Sequence, residues 1–254
     1  MNIKQDAFEC YEQLTQYAKK RKNELSDIYK PYVELTDDYG RQICHLTLLL
    51  GRNTPITTQD KVVRDLIADI FDSLYESGNL VISGKFAVSF PTIRRAYESL
   101  SLMALCCHDA SYAEKWESGK QLDNKEIRTE LAKYPTGETE SATKVLYKFF
   151  SKGSHVNREL VPYRYLGEGN EFVLGSIGTP DLLMTTLYLM RHLGLWYWFV
   201  AVVTYFYRDI IDKGDVSYIE NYFKIMEKAQ EIDNWLNEKF KNLFNEMRDR
   251  DNEI

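Results

Sequence analysis

The segment that most limits how this chain can fold is LGLWYWFVAVVTYFY, residues 193–207, which contains no charged side chain. A helix that crosses a bilayer needs about 20 apolar residues, and Arg191 and Arg208 bound this run before that length is reached. The sequence therefore predicts a central helix that is covered by protein. A membrane span is the alternative, because the preceding residues 181–190 would lengthen the run if a partner neutralised Arg191.

Two features of this helix call for partners. Arg191 and His192 lie within it, and burying a lone charge is costly, so we expect a carboxylate from another helix to meet them. Asp181 is too far along the helix to do so. The aromatic residues 196–199 would face all sides of the helix, and one neighbouring helix cannot cover them all. That pattern favours a dimer.

Elsewhere the apolar residues recur at intervals of three and four, which is helical spacing. Pro31 interrupts the first such stretch, residues 7–50, and predicts two helices or one kinked rod that ends at Gly51. We predict one helix that begins at a Thr58 cap and ends at Gly78, and four more that cover residues 91–107, 110–118, 123–133 and 140–153. A long helix is predicted from Thr179 to Gly214, with Gly194 as a kink. The last predicted helix begins with a capping box at Ser217.

The predicted fold class is all-α, a bundle of long antiparallel helices with one irregular or hairpin insertion near 156–178. Two short aromatic or β-branched runs flank GEGN, residues 167–170, within that insertion. With no repeat, low-complexity tract or linker, the sequence predicts a single helical domain over residues 1–254. Residues 1–57 are expected to form a long helix or helix pair that packs as an extension.

Composition narrows the classes of partner and compartment. A net charge of -6 argues against a broad surface for nucleic acid, although a local basic pocket would not show in that total. The four cysteines, Cys10, Cys44, Cys106 and Cys107, have no metal-ligand spacing and are predicted to be reduced core residues. The charged N-terminal stretch does not resemble a signal peptide, so a cytoplasmic location is expected. No cofactor or metal is expected.

Two charged pairs are the candidate site residues. His155 and Arg158 follow a predicted helix end, where they could bind phosphate or supply an acid and a positive charge; equally, they could bond backbone carbonyls there. Arg94 and Glu98 are one helical turn apart, so they are expected to pair, either to position a catalytic histidine or to fix the helix register. Arg95 lies on another face, toward solvent.

The stretches RRAYESL, residues 94–100, and FFSKGSH, residues 149–155, resemble a set of uncharacterised bacterial all-helical proteins related to the HEPN superfamily. The resemblance spans about residues 60–210. It implies a helical bundle and a role in RNA cleavage, toxin systems or phage defence, and it carries Arg94 or Arg95, Glu98 and His155 over as site candidates.

The chain departs from the pattern of HEPN ribonucleases, in which four to six residues lie between an arginine and a histidine on one helix face. The closest pair here, Arg41 and His45, has three residues between. This departure therefore favours a binding or degenerate member over an active ribonuclease of that type.

Three functional hypotheses follow. The first is a cytoplasmic helical bundle that acts by binding or self-association, in bacterial defence or stress response. The second is a HEPN-like ribonuclease or toxin whose non-standard site combines Arg94, Glu98, His155 and Arg158. The third is a membrane-active effector that uses residues 181–211. The expected partners are a second copy or another protein, with RNA as a further candidate and neither DNA nor a membrane expected.

Overall fold

The helical periodicity of the sequence is realised along most of the chain. The computed structural model describes residues 3–134, 140–154, 165–166, 171–172 and 182–251, which confirm the predicted all-α class. The helices are α1 (Ile3–Ile28), α2 (Lys30–Gly51), α3 (Thr58–Ile82), α4 (Phe86–His108), α5 (Ala110–Glu117), α6 (Asn124–Leu131), α7 (Glu140–Ser154), α8 (Leu182–Phe206), α9 (Arg208–Gly214) and α10 (Val216–Asp251).

The predicted break near Pro31 is confirmed and separates α1 from α2. Pro31 lies in the first turn of α2, where the missing backbone N–H leaves no helical hydrogen bond unmade. Tyr29 stands at the break and is fully buried, and its Oη donates to the Leu182 carbonyl oxygen at 3.1 Å. α2 then packs against α8 and α10, so residues 30–51 contribute to the central core.

Two helix starts fall slightly before the residues that the sequence indicated. The side chain of Thr57, and not that of Thr58, accepts the backbone N–H of Asp60 at 3.1 Å and caps α3. At the start of α10 the Asp215 carboxylate accepts the N–H of Ser217 at 2.9 Å. Both caps supply an oxygen to N–H groups that have no partner inside the first turn.

Glycine marks some of the helix ends and not others: α2 ends at Gly51 and α9 at Gly214, as predicted, but the predicted end at Gly78 and kink at Gly194 are wrong. α3 continues through Gly78. A Cβ atom there would lie 3.3 Å from the His192 ring, so the absent side chain allows α3 and α8 to approach each other. α8 likewise continues through Gly194, and the break falls at Tyr207. Tyr207 is buried and its Oη donates to the Asp60 carboxylate at 2.8 Å, so a long-range contact holds this break.

α4 and α8 are the central helices. α4 contacts α3, α5, α6, α7 and α8, and α8 contacts α2, α3, α4, α9 and α10. As predicted, α4 buries residues nearly all round, including Ile93, Tyr97, Leu100, Leu102 and Leu105. None of the described helices has the length and hydropathy that a bilayer crossing requires.

The aromatic residues of α8 are covered mainly by the chain itself. Trp196 and Phe199 are buried, Trp198 packs half-buried against the core, and Tyr197 is half exposed. Trp196 stacks on Tyr39 of α2, with ring centroids 5.9 Å apart. Three of the four rings are therefore used within one chain, and self-association stays a prediction.

The predicted hairpin is represented by a short antiparallel ladder. β1 (Tyr165–Leu166) pairs with β2 (Glu171–Phe172), with Tyr165 opposite Phe172 and Leu166 opposite Glu171. The two strands flank GEGN, as expected.

The cysteines divide into different environments. Cys106 is buried and Cys107 is half-buried, but Cys44 is exposed, so the prediction of a core position is wrong for Cys44. The side chain of Cys10 lies outside the described residues.

Candidate functional site

The predicted pairing of Arg94 with Glu98 is confirmed on α4. Arg94 Nε donates to Glu98 Oε1 at 2.8 Å, and the two side chains are only 25% and 28% exposed. Burial is the largest single effect and works against the charge of Arg94, but the interactions with Glu98 and Tyr147 together outweigh it and raise the pKa of the guanidinium. The charged guanidinium is thus fixed in position by Glu98.

A second helix pair encloses this guanidinium. Arg94 also donates to the hydroxyl of Tyr147 on α7 at 2.9 Å. The ring of Tyr147 receives the guanidinium of Arg128 from α6, with Cζ 4.2 Å from the ring centroid, a geometry that favours a cation–π contact. These contacts join α4, α6 and α7, and they account for Arg94 through packing without requiring a reaction.

Arg95 reaches solvent as predicted, but it is not free. Its guanidinium donates to Asp69 of α3, and the hydroxyl of Ser99 donates to the other carboxylate oxygen of Asp69 at 2.6 Å. The carboxylate is therefore held between two side chains of α4. This ion pair raises the pKa of Arg95.

Glu98, Arg95 and Asp69 face one cavity of about 580 Å³, which we call the α3–α4 groove. It lies between α3, α4, α5, α6 and the turn that joins α5 to α6. Its apolar lining residues, which we call the floor, are Leu66, Leu102, Ile127, Leu122 and Trp116. Its charged lining residues, which we call the rim, are Asp65, Asp69, Glu98, Arg95 and Lys120.

The turn that closes one end of the groove depends on glycine. Gly119 has φ +77°, a left-handed backbone conformation, and a Cβ atom there would meet nothing within 4 Å. Backbone conformation, and not space, is the reason for glycine at this position. Lys120 and Leu122 follow this turn and line the groove.

The other two candidates, His155 and Arg158, lie outside the described residues. The structure therefore brings together Arg94, Arg95 and Glu98 at or beside the groove. Sequence reasoning missed Asp69, Tyr147 and Trp116, which come from three other helices. Asp65 and Asp69 offered a signal, because residues four apart share a helix face, but the sequence does not say which helix that face meets.

A separate polar cluster is buried around His192. Because a carbonyl can only accept, His192 Nε2 carries the proton and donates to the Leu74 carbonyl oxygen at 2.9 Å. Nδ1 is then free to accept the hydroxyl of Tyr32 at 2.6 Å. Burial lowers the pKa of His192 to about 4, so the imidazole is neutral.

The prediction that a carboxylate from another helix meets Arg191 and His192 is therefore wrong for both residues. His192 is uncharged and satisfied by a tyrosine hydroxyl and a backbone carbonyl. Arg191 lies on the exposed side of α8 and needs no buried partner. The cluster fixes α2, α3 and α8 against one another, which is a structural role.

Comparison with known proteins finds no matching family model, no matching curated protein and no matching solved structure. Within the described residues, no group of three or more His, Cys, Asp or Glu side chains could hold a metal ion.

Proposed function

We propose that this chain is a helical binding protein and that its α3–α4 groove accepts a segment of another polypeptide. The observation that carries the proposal is the combination of an apolar floor with a charged rim in one cavity of about 580 Å³. Ligand sites are commonly apolar clefts of this size with a few placed polar groups. Leu66, Leu102 and Trp116 would cover an apolar anchor residue.

The rim favours a polypeptide over a nucleic acid. Asp65, Asp69 and Glu98 place three carboxylates at the groove, against Arg95 and Lys120. A phosphate backbone would be repelled by these carboxylates and attracted only weakly by the two cations. A polypeptide can place charges of both signs along the rim while an apolar side chain enters the centre.

The ribonuclease hypothesis has less support. Of its four residues, the described part of the chain contains Arg94 and Glu98, and these are committed to each other and to Tyr147. A second copy of this chain is one polypeptide that could supply the bound segment. A role in bacterial defence or stress response draws only on the resemblance in sequence, and we propose it as the cellular setting.

A displayed random-peptide library selected against the full chain tests the proposal. We expect enriched peptides that contain an aromatic or aliphatic anchor and that bind about tenfold or more weakly to Trp116→Ala, because buried aromatic anchors dominate such interfaces. Tyr205→Ala is the matched control, since Tyr205 is an aromatic residue with 77% exposure on α8 that does not line the groove.

Two results would reject the proposal. In one, the selected peptides bind wild-type protein and Trp116→Ala equally. In the other, the chain cleaves or binds single-stranded RNA and Glu98→Gln removes that activity without changing the melting temperature, which would establish the ribonuclease hypothesis instead.

A further inference from the structure

A second concave site lies on another part of the molecule, between α2 and α10. Residues that share one face of α2, at positions 38, 41, 42 and 45, meet residues that share one face of α10, at positions 221, 224, 225 and 228. They enclose a cavity of about 420 Å³, which we call the α2–α10 pocket. None of these residues takes part in the α3–α4 groove.

The pocket concentrates positive charge in an acidic protein. Arg41, Lys224 and Lys228 line it, and Asp38 is the only carboxylate among its lining residues, which leaves a formal charge of +2 when histidine is left out of the count. The chain as a whole carries -6. Lys224 and Lys228 are four residues apart on α10, a spacing at which like charges destabilise a helix.

Asp38 sets two of these cations in place. One of its carboxylate oxygens accepts Arg41 at 2.6 Å and the other accepts Lys228 at 2.6 Å. Arg41 and Lys228 are thus oriented before any ligand arrives, and each retains N–H donors that Asp38 does not use. Lys224 is exposed and has no ion-pair partner among the described residues.

Hydrogen bonds of the remaining lining residues hold α2 against the first turn of α10. Gln42 is buried and donates to the Tyr218 carbonyl oxygen at 2.9 Å, which joins α2 to α10. His45 Nε2 donates to the Asp215 carboxylate at 3.1 Å, so this carboxylate is already bound by a side chain of the pocket wall. The amide of Asn221 adds an uncharged donor on the α10 side.

We propose that the α2–α10 pocket binds a small molecule that carries a phosphate group. A phosphate monoester is a dianion that accepts several hydrogen bonds, and the pocket offers a matching charge of +2 together with guanidinium, ammonium and amide donors. The cavity of about 420 Å³ exceeds the needs of a phosphate group alone, so it has room for the molecule that bears the group. The site is separate from the proposed peptide groove and does not depend on it.

Isothermal titration calorimetry in phosphate-free, low-salt buffer tests this proposal with three probes. Adenosine monophosphate and inorganic pyrophosphate should bind saturably, and adenosine, which lacks the phosphate, should not bind. Lys224→Glu should weaken both phosphate probes by at least about tenfold, because a charge-assisted hydrogen bond contributes about that factor. Lys224→Ala should weaken them less.

Lys241→Glu is the matched control. Lys241 is exposed on the same helix, lies outside the pocket and gives the same change in net charge. It should leave the binding of both probes unchanged. Thermal unfolding of each variant shows whether it is folded, and the exposed position of Lys224 means that no loss of stability is expected.

The proposal is overturned if neither phosphate probe binds at millimolar concentration, or if Lys241→Glu weakens binding as much as Lys224→Glu, which would indicate diffuse surface charge. It is also overturned if a single-stranded oligonucleotide binds in the same buffer while adenosine monophosphate does not. In that case the pocket would be part of a surface for a polyanion.

Discussion

Acidification should destabilise this protein through His192. The imidazole is buried and neutral, and burial lowers its pKa from the ordinary value of 6.5 to about 4. The unfolded chain therefore takes up this proton first as the pH falls. The stability that depends on the neutral ring is fully present above about pH 6.5 and is lost progressively as the pH falls toward 4.

The magnitude follows from the difference between the two pKa values. A difference of about 2.5 units corresponds to about 3 kcal/mol, at 1.36 kcal/mol per unit. Most of this falls within an accessible range: between about pH 7 and about pH 5 the free energy of unfolding should decrease by about 2 kcal/mol. The acidic groups with lowered pKa values, such as Asp38 and Asp215, lose their contribution at lower pH than this.

Urea unfolding at a series of pH values, followed by circular dichroism, measures this loss. His192→Gln retains a donor for the Leu74 carbonyl oxygen but cannot titrate, so its stability should be nearly constant between about pH 7 and about pH 5. Tyr32→Phe should cost about 1–3 kcal/mol at neutral pH, because His192 Nδ1 is then buried without a donor.

Tyr39→Phe is the control for the loss of a buried hydroxyl. Tyr39 is buried, and its Oη has no hydrogen-bond partner among the described residues, so removal of that hydroxyl should not destabilise the protein. The free energy of unfolding of Tyr39→Phe should change with pH in the same way as that of the wild type. If His192→Gln lost stability with falling pH as steeply as the wild type, a buried neutral histidine would not be the cause.

Three further changes test the packing. Gly153→Ala should lower the melting temperature sharply, because its Cβ atom would overlap the ring of Phe90. An unchanged melting temperature would show that α7 and α4 are less closely packed. Trp196→Ala should cost about 3–5 kcal/mol in urea unfolding, since this ring is 1% exposed in the core; a cost under about 1 kcal/mol would contradict that position. Ellman's reagent should modify the exposed Cys44 in the native protein and Cys106 only after unfolding. Cys106 is protected because burial raises the pKa of its thiol to about 12. Peptide mass mapping shows which of the two cysteines has reacted.

The candidate site was only partly accessible to sequence reasoning. Arg94 and Glu98 were paired correctly because both lie on one helix, where a separation of four residues fixes their proximity. The contacts of Asp69 with α4, of Tyr147 with Arg94, and of Trp116 with the groove join different helices. No local pattern specifies which helix faces are brought together.

The sequence by itself determined the helical class, the break near Pro31 and the central position of the helix that contains the run at 193–206, because periodicity and backbone chemistry act over a few residues. Only the tertiary structure decided how polar groups are satisfied: His192 is neutral because the folded core buries it, and its Nδ1 accepts the hydroxyl of Tyr32, 160 residues away in the chain. It also placed Arg191 in solvent and brought α2 and α10 together around a basic pocket. These outcomes depend on which helix faces pack together, and that is settled by the fit of the whole core.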